Sequence, residues 1–198
     1  MLMIKQFAGT ITSFLLNENI IENEEQEIYQ FGTERILKNL ITIFLIGIIV
    51  TIFEAWVESL FIAIGFMPLR RSAGGYHAET LLQCNILTYL IFVLNIIIIR
   101  AVIDNISIQV YMLICFITIL FIFQFAPVDH KNFVFSNKRT MRAKKVARII
   151  VLILVTTSSS FVYIQGKINL LSLSAMMGAF TASFSIFIGS IKRKGETR

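Results

Sequence analysis

Long apolar runs separated by short polar links dominate this chain, and their continuity predicts helices. Residues 39–66, 81–99, 106–126, 146–164 and 169–190 each hold enough consecutive apolar residues to approach the roughly 20 needed to span a bilayer. Apolar residues do not alternate with polar ones along these runs, which argues against a membrane β-barrel. Residues 1–16 differ. Ile4, Phe7, Ile11, Phe14 and Leu15 recur at helical spacing, with polar residues between them. That pattern predicts one amphipathic helix lying in the membrane interface. Residues 17–38 then carry Glu18, Glu22, Glu24, Glu25, Glu27 and Glu34, and belong in water or among headgroups. The expectation is an all-α, polytopic membrane protein forming a single domain over 1–198. Its parts are an interfacial and acidic region (1–38), transmembrane helices (39–191) and a basic tail (192–198).

The first long run is the ambiguous one. Glu54 and Glu58 interrupt it one helical turn apart. Acids at bilayer depth are costly and face protein or a cavity, often for function. They equally suit the tip of a shallow hairpin or an interface. Residues 39–66 therefore either cross once or form a hairpin or two short crossings.

Composition agrees with the pattern. The chain is 56% hydrophobic and only 15% charged, with a mean hydropathy of +0.77. A soluble domain holds about 45–50% apolar and about 25% charged residues. The net charge of +6 does not point to nucleic acid, because the basic residues cluster at the ends of apolar runs. There they act as topology signals. The strongly positive 131–145 segment is expected in the cytoplasm. Arg70 and Arg71, and the tail with Lys192, Arg193 and Lys194, follow on the same side. The links near Asp104 and Gly166 face out, and the N-terminus is expected inside. No cleavable signal peptide is expected. Two cysteines make no disulfide framework, so Cys84 and Cys115 are expected to be reduced.

The chemistry gathers in one polar island, Arg70 to Cys84, between two apolar runs. It holds two arginines, Gly74-Gly75, one of two histidines and one of two cysteines. Cysteine with a nearby histidine is the minimum set for nucleophilic acyl transfer. His77 and Cys84 lie seven residues apart, about 10.5 Å along one unbroken helix, too far for a hydrogen bond. A working pair needs a break between them. Thr80-Leu81-Leu82-Gln83 has the pattern of a capping box, so a helix starting at Leu81 would place Cys84 in its first turn. The positive end of that helix favours a thiolate. Gly74-Gly75 gives the preceding loop backbone freedom and room for a substrate strand. Arg70 and Arg71 read either as membrane anchors or as carboxylate-binding groups. Glu79 could orient His77, or stand as an interfacial carboxylate. Cys115 reads as a packed core residue and His130 as part of a solvated loop. Two other functions share these residues: a zinc site from His77, Cys84 and Glu79, and a non-catalytic receptor or transport subunit that binds an acidic peptide through its arginines.

At these residues the chain resembles the accessory gene regulator B family of bacterial membrane endopeptidases. The pattern is an arginine, then Ala73-Gly74-Gly75-Tyr76-His77-Ala78, then Cys84. Ala126-Pro127 with Asn137-Lys138 makes a second match. Glu79, Leu81 and Arg139 depart from residues common in the family, which touches substrate contacts more than the catalytic pair. The resemblance implies a cysteine endopeptidase of the cell membrane, with its site at the cytoplasmic face and no cofactor or metal. It implies His77 as the base, Cys84 as the nucleophile, and Arg70, Arg71 and Gly75 as substrate-binding residues. The implied partner is the precursor of a quorum-sensing peptide, with an amphipathic leader, a Cys or Ser core and an acidic tail. The bilayer is the other partner, and a homodimer is left open.

Overall fold

A computed structural model describes residues 2–76, 81–128 and 137–196. Its described residues form seven α-helices and one short 3-10 turn, with no strand. The helices are α1 (Leu2–Asn17), α2 (Gln26–Ile52), α3 (Trp56–Ala73), α4 (Leu81–Val102), α5 (Ile108–Phe125), α6 (Asn137–Gln165) and α7 (Leu170–Glu196). Five helical segments are long and apolar enough to cross a membrane: Asn23–Ile52, Gln83–Val102, Ile108–Phe125, Thr140–Gln165 and Leu170–Arg193. The all-α, polytopic expectation therefore holds.

The chain divides into two compact units, Met1–Ile52 and Phe53–Arg198. In the first, α1 packs on α2 through buried Ala8 and Thr12, while Phe7 and Phe14 of the predicted stripe stay exposed. The 3-10 turn Asn23–Glu25 opens α2 with a reciprocal capping box between Glu22 and Glu25. From there α2 runs unbroken from the acidic stretch into the apolar one.

The long 39–66 run is not one helix. It breaks at Phe53-Glu54-Ala55, where Glu54 adopts a left-handed φ of 49°. The run is thus shared between two helices, α2 and α3, rather than forming one.

In the second unit, α3 and α7 form the centre. No hydrophobic force pulls helices together inside a bilayer, so close backbone packing must do it, and small residues permit it. A side chain at Gly65 would collide with the Ala175 carbonyl, and one at Gly178 with the Ile62 carbonyl. Around this crossing lie Phe66, Leu69, Ile122, Val151, Ala179, Ala182 and Ile186, all buried. Beyond the crossing, α3 and α7 run the same way, so the residues after α3 meet Ser185 and Gly189. α5 joins α7 through aromatic rings: Phe187 stacks on Phe121 at 4.9 Å and meets Phe125 edge-on at 5.0 Å. At the other end, buried Tyr111 shares a 2.6 Å hydrogen bond with Ser158, whose hydroxyl donates to the Ser172 carbonyl.

Candidate active site

The last turn of α3 delivers Arg70 and Arg71 to one end of the bundle. Gly74 stops the helix. Its φ of 73° suits glycine, and its N–H donates to the Arg70 carbonyl at 3.2 Å. The chain then passes through Gly75 (φ 134°) to Tyr76. This short loop is anchored from three sides. The Val128 N–H donates to the Ala73 carbonyl at 2.9 Å, and a parallel bridge joins Gly74 to Val128, just past the cis Ala126–Pro127 peptide. The Tyr76 N–H donates to the Ser185 carbonyl at 2.9 Å. Gly189 lets the loop approach α7, since a side chain there would sit 2.8 Å from the Tyr76 nitrogen.

Arg70 is the third anchor. One terminal nitrogen donates to the Gly74 carbonyl at 3.2 Å and to the Ser185 hydroxyl at 2.9 Å. The other donates to the Tyr76 carbonyl. Cys84 lies close enough to the same guanidinium to feel its charge. A single cation therefore sits near Cys84 and holds the Tyr76 carbonyl.

Cys84 is half-buried near the beginning of the described part of α4, which runs from Leu81; the capping residue expected at Thr80 lies outside the described residues. His77, Glu79 and Thr80 lie outside the described residues, as does His130. The proposed zinc trio thus has one described member, Cys84. Gly75 is buried, and the space its side chain would need is filled by Arg70. That accounts for glycine at this position without any substrate. Arg71, one residue on, is exposed. Lys192 of α7 places its ammonium 5.2 Å from the centre of the Tyr76 ring. The arginine pair, the start of the 127–136 link and the basic end of α7 therefore share one end of the bundle, in agreement with the charge pattern. Cys115 is free and buried in α5, as its apolar setting predicts.

Sequence reading missed Ser185, Gly189 and Arg100. Ser185 lies 115 residues from Arg70, and α7 offers several similar serines. Arg100 meets Glu58, the acid singled out earlier, through a 2.8 Å ion pair.

The fold and this site define a multi-pass helical membrane protein with a cysteine and an arginine paired at one end. The Accessory gene regulator B family profile matches residues 8–188, and the chain belongs to that family. It is 28% identical over 149 residues to a "Putative AgrB-like protein" of Clostridium perfringens strain SM101, covering 72% of this chain and 70% of that one. A "Putative AgrB-like protein 2" of strain 13 matches at the same identity and coverage. No solved structure matches. Membership supports a role in quorum-sensing peptide processing.

Proposed function

We propose that the protein is a cysteine endopeptidase that removes the acidic tail of a quorum-sensing peptide precursor and supports closure of its core into a ring. The supporting observation is the placement of Arg70, whose guanidinium donates to the Tyr76 carbonyl and lies near Cys84. The described loop ends at Tyr76, and His77 follows it in sequence as the base the chemistry needs.

The chemistry runs in two transfers. His77 takes the Cys84 proton, and the sulfur attacks the carbonyl at the core–tail junction. The C–N bond breaks, His77 returns the proton to the departing amine, and the core remains as a Cys84 thioester. A cysteine of the core then attacks that thioester. Its sulfur bonds to the carbonyl carbon, Cys84 leaves as the thiol, and the ring closes as a thiolactone, or as a lactone where the core carries serine. Water must be kept from the thioester, and a site at the membrane boundary serves that end.

Arg70 is already committed to Gly74, Tyr76 and Ser185. A substrate carboxylate would have to displace those partners. We therefore give the acidic tail to exposed Arg71 and to the basic residues near the start of α6, among them exposed Arg142, Lys144 and Lys145. The site faces the cytoplasm on this reading, because these charges satisfy the positive-inside rule there.

The decisive experiment is mass spectrometry of the full chain during turnover with a tailed precursor. An acyl adduct on Cys84, absent in Cys84→Ser, is the expected result. Equal release of the tail by parent and Cys84→Ser would refute the reading.

A further inference from the structure

Glu58 and Arg100 form an ion pair at the end of the bundle opposite Cys84, the carboxylate buried and the guanidinium exposed. Both the Nε and Nη2 groups of Arg100 donate to Glu58 Oε1, at 3.1 and 2.8 Å, and Nη2 also donates to the Glu54 carbonyl at 3.0 Å. The Glu58 side chain is 8% exposed. Glu58 lies in the first turn of α3 and Arg100 in the last turn of α4. At their other ends the same two helices carry Arg70 and Cys84, which lies near that guanidinium. α3 and α4 are therefore antiparallel, joined by an ion pair at one end with Cys84 beside a cation at the other.

Between those contacts, buried Asn95 donates to the Ile91 carbonyl of its own helix and so keys no register to a neighbour. Ile86, Leu90, Leu94 and Ile97 on its outer face are exposed, and hydrocarbon receives them equally well at any register. Phe92, Ile96 and Ile99 pack inward, but apolar packing against apolar neighbours has no polar key. A charged pair does. Displacing it leaves a buried carboxylate without its cation, which is strongly unfavourable. Cys84 and Arg100 are about 24 Å apart along one rigid helix. A slip of one turn at Arg100 moves Cys84 by about 5.4 Å relative to the Arg70 guanidinium.

We propose that Glu58 and Arg100 are positioning residues, whose ion pair sets the register of α4 against α3 and so holds Cys84 beside the Arg70 guanidinium. The functional part of this rests on Cys84 as the nucleophile. The geometric part does not, and can be read without substrate.

The test is the rate of Cys84 alkylation by iodoacetamide in the full-length, detergent-solubilised protein, in a Cys115→Ala background. Arg70→Met removes the cation from the sulfur and should slow alkylation. Glu58→Gln and Arg100→Met should each slow it about tenfold, the size expected of a polar contact in a membrane bundle. The double variant Glu58→Gln/Arg70→Met should be no slower than Arg70→Met alone, because register matters only through that cation. Where Glu58→Gln does not fold, Arg100→Lys carries the same cycle, since it keeps the charge and loses the two-nitrogen fork. Alkylation at the parent rate in the single variants, or effects that multiply in the double variant, would overturn the proposal. If alkylation follows the cycle while no precursor tail is ever released, the peptidase reading fails and the register role stands.

Discussion

Arg70 serves three hydrogen-bond partners with one planar group, and lysine cannot reproduce that. An ammonium is a point charge without the fork that reaches the Gly74 and Tyr76 carbonyls together. Arg70→Lys is expected to lower the rate of Cys84 acylation by about 10- to 100-fold, the worth of one or two hydrogen bonds to a charged group. Single-turnover kinetics at saturating precursor measures it. Arg71→Ala should instead raise KM with little change in kcat, and its effect should fade as ionic strength rises. A KM that is unchanged at low salt would remove Arg71 from tail binding. Cys115→Ala, buried in α5 away from the polar island, is expected to leave cleavage intact. The sequence made Cys84 and the two arginines visible, because a polar island in an apolar chain stands out. It did not separate the roles of Arg70 and Arg71, since adjacent residues on a helix point in different directions and only the surrounding fold shows what each one meets.

Helix positions followed closely from hydropathy, and helix junctions did not. Four apolar runs became α4 to α7, with α6 extended back to Asn137 through a basic stretch whose residues are good helix formers. The fifth run split at Glu54, because its apolar character continues across the break and hides it. How α3 finds α7 was equally hidden. Gly65 and Gly178 look like ordinary glycines in sequence, yet each lies against a carbonyl of the facing helix. Gly65→Leu should force these helices apart and cost roughly 1–3 kcal/mol or more, as overpacking does. A lowered midpoint of thermal unfolding in detergent is the readout, and an unchanged midpoint would mean that the crossing is looser than the backbone contact implies. Gly189→Ala tests the site end of α7. The added methyl meets the Tyr76 nitrogen and the Gly75 backbone, so turnover should fall while the unfolding midpoint moves little.

Across the whole molecule, the second unit has two chemically different ends. One gathers Arg70, Cys84, Val128, Ser185 and Lys192, and the other holds Glu58 with Arg100. A thiol introduced at exposed Lys144 should react with a membrane-impermeant maleimide only after the cells are opened, whereas one at Asp104 should react in intact cells. The reverse pattern would put the site on the outer face. The sequence by itself determined that the chain is a membrane-crossing helical protein, roughly where its helices lie, and that residues 70–84 form a polar island with a cysteine, a histidine and two arginines. Those properties are local: apolar length answers to bilayer thickness, and a helix start answers to a few neighbouring residues. Only the tertiary structure decided that Arg70 binds inward, that Ser185 and Gly189 form the wall behind the loop, and that Glu58 pairs with Arg100. Each of those contacts joins residues 42 or more positions apart, and any of several serines or arginines would satisfy the sequence equally well until packing brings one of them within 3 Å.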